Sequence, residues 1–301
     1  MNLLVTGAWK YTEEYINKIK ELGNKVFFMQ NEKDLLPCDS KIIEGVICNN
    51  LLAYHKIEDF TSLKYIQLTS AGLDRVPLEY IRENNIKLYN AGGVYSIPMA
   101  EFAISGILQI YKQAEFFMKN KEKHIWEKNR NLLEINGKNV CIVGSGKIGG
   151  ECAKRLNAFG ANIVGIDIIS QKKDYFTNIY NIKDLKNVLT NIDIIILTLP
   201  LTNDTIHLFN EEVFNSCKDG AVLVNISRGK IVEEKALLNA LDNKLMGAVI
   251  DVFEEEPLNE NNPLWSKDNV IITPHNSFVG DGNSKRLSEL ILKNIQCENK
   301  F

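Results

Sequence analysis

Apolar residues fall in short blocks separated by stretches of helical spacing, and this alternation runs almost the whole length of the chain. Leu3-Leu4-Val5-Thr6 reads as a buried strand, followed by helical spacing around Glu13 to Leu22. Lys25 to Met29, Val46 to Cys48, Tyr65 to Leu68 and Ile86 to Tyr89 continue the strand series, with a short helix over Leu78 to Glu83. About five strands in this pattern predict a small doubly wound sheet, with ligands expected at the strand carboxyl ends. From Pro98 to about Met118 the spacing predicts one longer helix. Phe102, Ile104, Ile107, Leu108, Tyr111 and Phe116 form its apolar face, and Pro98 is tolerable in the first turn. The polar stretch Lys119 to Asn136 reads as solvated surface. A second strand series follows: Val140 to Val143, Ile163 to Ile166, Ile194 to Leu199, Val222 to Ile226, Ala248 to Phe253 and Ile271 to Thr273. The fold class is α/β, and no internal repeat of solenoid period interrupts it.

Length agrees with that division, because 301 residues suit two cores of roughly 150 residues each. Lys+Arg 35 against Asp+Glu 38 leaves a net charge of −3, so no basic surplus points to nucleic acid or an anionic membrane. The longest apolar runs fall well short of the about 20 residues a membrane span needs, and the first residues lack a secretory pattern. Six cysteines, at positions 38, 48, 141, 152, 217 and 297, form no C-x-x-C pair. Free thiols in a reducing cytosol are the expectation, hence a cytoplasmic protein without a structural metal.

The first chemistry-bearing motif is Gly144-Ser145-Gly146-Lys147-Ile148-Gly149, directly after the strand Val140 to Val143. A helical stretch to Phe159 and the strand Asn162 to Ile166 then end in Asp167. Strand, glycine loop, helix, strand and acid in this order are the dinucleotide pattern. Gly144 serves a tight turn, Gly146 close approach to a pyrophosphate, and Gly149 close packing of helix on strand. A structural glycine turn is the ordinary alternative, but it does not require the acid about 20 residues on. Asp167 would accept from ribose hydroxyls and repel a 2′-phosphate, which favours NAD; Lys172 and Lys173 work the other way.

An entire α/β domain precedes this loop, so the reactive groups must come from elsewhere. None of the ten tyrosines has a lysine four residues later, which removes a Tyr/Lys catalytic pair. No Cys/His cluster has zinc spacing. Three strand ends remain. Asn225-Ile226-Ser227-Arg228-Gly229 places one of only six arginines at a carboxyl end, and a planar fork suits a carboxylate. Asp251-Val252-Phe253-Glu254-Glu255-Glu256-Pro257 closes the next strand, and Thr273-Pro274-His275-Asn276 the last. Singly, each is more often a surface residue. Together, arginine, carboxylate and histidine would meet at the crevice where a cofactor lies.

With these motifs the sequence resembles the D-isomer-specific 2-hydroxyacid dehydrogenases, the family of D-lactate dehydrogenases, glyoxylate/hydroxypyruvate reductases and phosphoglycerate dehydrogenases. The resemblance covers nearly the whole chain. It is most specific at residues 144–149, Leu199-Pro200-Leu201-Thr202, 225–229, 251–257 and 273–275, and weaker at Ser70-Ala71-Gly72-Leu73-Asp74, Asn90-Ala91-Gly92-Gly93-Val94 and Met99-Ala100-Glu101. It implies a flavodoxin-like substrate domain (residues 1–93 plus 278–301) and a Rossmann NAD-binding domain (residues 94–277), with the active site between them. It implies Arg228, Glu256 and His275 as catalytic residues. Gly144, Gly146, Lys147, Ile148, Gly149, Asp167, Pro200, Thr205 and Asp251 are implied on the cofactor, with Asp251 on the nicotinamide carboxamide. Ser70, Ala71 and Gly72, with Arg228, are implied on the substrate carboxylate.

The implied activity is NAD-dependent interconversion of a small 2-oxoacid and its D-2-hydroxyacid by a homodimer. Asn276-Ser277-Phe278 departs from the apolar or glycine residues many members carry there, and the end at Phe301 leaves no room for added regulatory domains. A nucleotide-sensing binding protein, like the corepressors that resemble this family, is the alternative, but it would not need all three catalytic residues.

Overall fold

The computed structural model describes residues 1–73 and 75–298. The chain divides into two units, Met1–Tyr95 with the chain from Gly280 onward, and Ser96–Val279.

In the first unit, β1 (Asn2–Thr6), α1 (Glu13–Glu21), β2 (Lys25–Met29), β3 (Gly45–Cys48), β4 (Tyr65–Leu68), α2 (Leu78–Glu83) and β5 (Lys87–Tyr89) follow in order. The sheet order is β2-β1-β3-β4-β5 and every pair is parallel, the flavodoxin-like arrangement. β3 and β4 are buried at every position, as a sheet covered on both faces demands. Successive side chains then serve opposite cores. Leu4, Val46 and Ile66 meet Leu51, Phe60 and Ile81 on one face. Leu3, Val5, Ile47 and Tyr65 meet Ile16 and Ile19 of α1 on the other.

The second unit begins with α3 (Ser96–Tyr111) and α4 (Ala114–Glu122). Then come β6 (Asn139–Val143), α5 (Lys147–Ala158), β7 (Asn162–Asp167), β8 (Asn178–Asn181), α6 (Leu185–Leu189), β9 (Ile194–Leu197) and α7 (Glu211–Ser216). β10 (Ala221–Asn225), α8 (Glu234–Asn243), β11 (Leu245–Ile250) and β12 (Val270–Ile272) complete it. The parallel order β12-β11-β10-β9-β6-β7-β8 is doubly wound, with its direction reversing between β6 and β9. α3 and α5 cover one face with Ala103, Ile107, Cys152 and Leu156; α6, α7 and α8 cover the other with Leu189, Phe214 and Leu237. α9 (Asn283–Glu298) returns to the first unit and lays Leu287, Ile291 and Ile295 beside α1.

The structure corrects several elements. The long helix expected from 98 to 118 is two helices, because Gln113 adopts a left-handed backbone (φ 53°) that ends one and starts the other. The stretch from 119 is mostly exposed, as expected, but its first residues continue α4 as far as Glu122. β8 was not expected: its sequence Asn-Ile-Tyr-Asn buries only Ile179, as suits a short edge strand. β9 stops at Leu197 and β11 at Ile250, so Leu199 and Phe253 belong to loops on the carboxyl edge.

Candidate active site

The carboxyl edge of the larger sheet gathers the candidate residues of the second unit, strand by strand. At the end of β6, Gly144 has φ 101°, and a Cβ there would lie 2.9 Å from the Thr198 carbonyl carbon. A Cβ on Gly149 would lie 2.1 Å from the Gly144 carbonyl oxygen. Gly146 differs: it is the N-cap of α5, and a Cβ there would meet nothing within 4 Å. Packing thus requires the outer two glycines, while the middle one leaves the helix N-terminus open to close approach. Lys147 and Ile148 open α5, with Ile148 packed against the core behind the loop.

Asp167 ends β7. Its Oδ2 accepts from the Ser145 amide (2.9 Å) and hydroxyl (2.6 Å), and its Oδ1 from the Ile168 amide (2.8 Å). Burial pushes the carboxyl up, but the Ser145 and Ile168 donors and the nearby Lys173 outweigh it and hold Asp167 below the usual aspartate value. Past β9, the Thr205 hydroxyl accepts from the Thr202 amide (2.7 Å) and donates to the Pro200 carbonyl (2.9 Å), so the loop closes on itself.

β10 delivers Arg228. Asn225 braces the turn before it: Oδ1 accepts from the Ser227 amide and hydroxyl, and Nδ2 donates to the Arg228 carbonyl. The next residue, Gly229, lies so close to the Phe253 carbonyl that a Cβ would fall 1.9 Å from it. Arg228 is therefore anchored against the segment that follows β11. The Asp251 amide, donating to Asn225 O at 3.0 Å, joins the same two strand ends.

Asp251 is fully buried and organises the histidine loop. Its Oδ1 accepts from the Thr273 hydroxyl (2.6 Å) and the Asn276 amide (2.7 Å), its Oδ2 from the Ser277 amide (3.0 Å). The backbone N–H of His275 donates to Asp251 O (2.8 Å) while the residue holds φ 52°, a left-handed conformation uncommon outside glycine though less so for histidine. His275 Nδ1 then meets Glu256 Oε2 at 2.9 Å, and Glu256 Oε1 accepts from the Phe253 amide at 3.0 Å. Glu256 thus engages Nδ1, and Nε2 is the ring nitrogen on the side away from that carboxylate. Phe278 sets its ring edge-on to the imidazole, centroids 6.1 Å apart.

In the first unit, the Ser70-Ala71-Gly72 loop follows β4. The Ala91 amide donates to Ser70 O (2.8 Å) and Asn90 Nδ2 to Ala71 O (2.7 Å), so the two weaker motifs of this unit lie side by side. Asp74 of that motif lies outside the described residues, as do positions 299–301.

Residues 104–277 match the family model for the D-isomer specific 2-hydroxyacid dehydrogenase, NAD binding domain. The chain belongs to this dehydrogenase family. It is 35% identical over 242 residues to a glyoxylate reductase of Thermofilum pendens, covering 78% of this chain and 71% of the relative. A D-isomer specific 2-hydroxyacid dehydrogenase family protein from Aeromonas salmonicida has a similar structure, with TM-score 0.83 and 28% identity over 97% of this chain and 94% of that one. A D-lactate dehydrogenase from Aquifex aeolicus, solved with NAD and lactic acid, gives TM-score 0.78 and 25% identity over 99% and 96%. The reaction class of the family is NAD-dependent 2-hydroxyacid dehydrogenation or reduction.

The residues of this family member fit a dinucleotide. Gly146 leaves room at the α5 N-terminus, and Asp167 stands at the end of the neighbouring strand. Among the described residues no group of three or more His, Cys, Asp or Glu side chains is placed to hold a metal ion, and no helix is long and apolar enough to cross a membrane. Ser145, Asn225 and His207 are absent from the candidates read in the sequence, and Glu254 stands there only as a neighbour of Glu256 in the acidic run. Ser145 was legible in principle, as the small polar residue inside the glycine loop. His207 carries no local signal, because its partner is 47 residues away.

Proposed function

We propose that this family member interconverts a small 2-oxoacid and its D-2-hydroxyacid, with His275 as the acid/base. The observation that supports this reading is the His275 Nδ1–Glu256 Oε2 pair at 2.9 Å, on a loop whose backbone Asp251 holds in place. In reduction, Arg228 holds the substrate carboxylate and polarises the ketone oxygen, where negative charge grows. His275 delivers the proton to that oxygen from Nε2, and Glu256 orients the ring and stabilises its charged form. Oxidation uses the same atoms with the ring neutral at the outset. NADH, when bound, supplies the hydride.

The cofactor would be held by Gly144, Gly146, Lys147, Ile148 and Gly149, by Asp167, and by the loop carrying Pro200 and Thr205. Asp251 would face the nicotinamide carboxamide, with three of its roughly four lone-pair positions already taken by Thr273, Asn276 and Ser277 of the histidine loop. The amides of Ser70, Ala71 and Gly72 would hold the substrate carboxylate. On this reading residues 94–277 bind NAD, residues 1–93 with 278–301 bind substrate, and the working form is a cytoplasmic homodimer.

The test is NADH oxidation with glyoxylate, pyruvate, hydroxypyruvate and branched 2-oxoacids, with the configuration of the product determined. The expected result is turnover of at least one, with the D isomer formed wherever the product is chiral, which glycolate from glyoxylate is not. NADH binding without reduction of any 2-oxoacid would overturn the enzymatic reading in favour of a nucleotide-sensing protein.

A further inference from the structure

We propose that Tyr95, together with Asn90, is a positioning residue for the substrate: the two side chains pin carbonyls of the loop after β4 and so aim its amides at a carboxylate. This role rests on the proposed function, in which the amides of Ser70, Ala71 and Gly72 hold the substrate carboxylate, and adds the residues that aim them.

Three successive carbonyls of the loop accept from one short segment, residues 90–95. The Tyr95 hydroxyl donates to Thr69 O, the Ala91 amide to Ser70 O at 2.8 Å, and Asn90 Nδ2 to Ala71 O at 2.7 Å. Neighbouring carbonyls alternate in a strand, but the chain bends at each of residues 69, 70 and 71, so here they share one side. In a planar trans peptide the N–H points opposite to the C=O. Pinning these three carbonyls therefore turns the N–H groups of Ser70, Ala71 and Gly72 away from the 90–95 segment. Among the described residues none of the three N–H groups donates to an acceptor. Successive open N–H groups on one side of a turn make a seat for an anion.

The segment that does the pinning is itself fixed. Ala91 and Val94 are buried with Leu3, Val5 and Leu287, and Arg286 of α9 donates from Nε to Val94 O at 2.8 Å. Asn90 Oδ1 accepts from the Gly92 amide at 3.1 Å, which sets the amide plane so that Nδ2 meets Ala71. Burial raises the Tyr95 phenol above its ordinary value, so its hydroxyl stays a donor at neutral pH. At its start the loop is held by the Thr69 amide, which donates to Cys48 O at 2.8 Å, and inside it the Ser70 hydroxyl donates to Gly72 O at 3.3 Å. Of the three ties from the 90–95 segment, the one from Ala91 is main chain and survives any side-chain change. The other two come from groups that a substitution can remove. Without the tie at Thr69 the 69–70 peptide is free to turn, and the Ser70 N–H loses its aim while the core below stays as it was. The cost then falls on holding the carboxylate and leaves hydride transfer alone.

The test combines equilibrium binding with kinetics. Oxamate, an unreactive carboxylate analogue of a 2-oxoacid, is titrated into the protein–NADH complex and followed by NADH fluorescence. Reduction of a 2-oxoacid is then compared with reduction of its neutral 2-oxoamide. Tyr95→Phe keeps the ring and removes the donor. Its oxamate Kd and its KM for the 2-oxoacid should rise by about three- to tenfold, with kcat and NADH Kd changed by less than about twofold. Asn90→Ser can still accept from the Gly92 amide but is too short for Ala71, and it should behave in the same way. The double variant should lose about tenfold or more in oxamate affinity. The 2-oxoamide should lose less than the acid in each variant, because a neutral carbonyl gains less from an aimed N–H than a carboxylate does. Unchanged oxamate affinity in the double variant, equal losses on acid and amide, or a fall in kcat and NADH affinity in place of the KM effect would each overturn the positioning role. If that happens in a protein that still reduces a 2-oxoacid, the proposed reaction stands without it. A wild-type protein that binds NADH but neither oxamate nor any 2-oxoacid would overturn the proposed reaction, and the positioning role with it.

Discussion

Two histidine–glutamate pairs draw on the same short segment after β11, and they differ in what their glutamates do with the second oxygen. His275 pairs with Glu256 at 2.9 Å, and His207 pairs with Glu254 at 3.1 Å. Both histidines have left-handed backbones, φ 52° and 49°. Their side chains are exposed alike, 40% and 42%, so accessibility does not tell them apart. The second oxygen of each glutamate does. Glu254 Oε1 accepts from the Glu234 amide at the start of α8, which makes that carboxylate a brace between a helix and the loop past β9. Glu256 Oε1 turns back to Phe253 in its own turn, so its other oxygen is held out for one imidazole. The backbone around His275 is also tied to the buried Asp251, whereas His207 is tied by its amide to Lys230 O, near Arg228. Distance alone therefore does not set the two pairs apart; the partner of each glutamate's second oxygen and the tie of the His275 loop to Asp251 do.

The hardest way to break the comparison is His275→Ala. The prediction is a fall of about a hundredfold to ten-thousandfold in kcat/KM in both directions with NADH binding unchanged. His207→Ala, measured beside it, should lose less than about tenfold. Equal losses would erase the distinction between the pairs.

Arg228→Lys comes next, because it separates a charge used on substrate from one used in the fold. Lysine keeps the charge and loses the planar fork, so kcat/KM should fall by roughly a hundredfold with NADH affinity nearly unchanged. Parallel loss of NADH affinity would instead make Arg228 part of the cofactor loop's support.

Glu256→Gln sharpens the first pair. Glutamine keeps the shape and a hydrogen bond but removes the carboxylate charge beside the imidazole. kcat/KM should fall by roughly tenfold in both directions with NADH affinity unchanged; an unchanged kcat/KM would remove Glu256 as the partner of His275.

The smallest effect belongs to Glu254→Gln. A partly exposed pair contributes little, and glutamine can still accept from the Glu234 amide. kcat/KM should stay within about threefold of wild type in both directions. Thermal unfolding should drop by about 1–3 °C. A loss as large as that of Glu256→Gln would show that Glu254 reaches the reacting groups after all.

The two parallel sheets were legible before the structure because their strands are continuous apolar runs, and such runs are a local property of the chain. The glycine loop was legible for the same reason: Gly144 and Gly149 answer to contacts only a few residues or one strand away. Asn178 to Asn181 was not, because an edge strand with one buried side chain leaves no apolar run to read. Nor was the break at Gln113, since the residues on either side keep helical spacing and only the backbone at one position departs from it.

What the sequence determined by itself, then, is the α/β alternation, the dinucleotide loop with its acid, and the family that the strand-end motifs betray. Composition and spacing alone could not rank Glu254, Glu255 and Glu256; it was the resemblance of the whole motif that singled out Glu256. Only the tertiary structure gave Glu254 to His207, turned Asp251 inward to hold a loop more than 20 residues away, and set Lys173 over Ser145 and Asp167. The reason is physical. Periodicity and turns are settled between neighbours along the chain, whereas the partner of a charge is settled by which strand ends a sheet brings together.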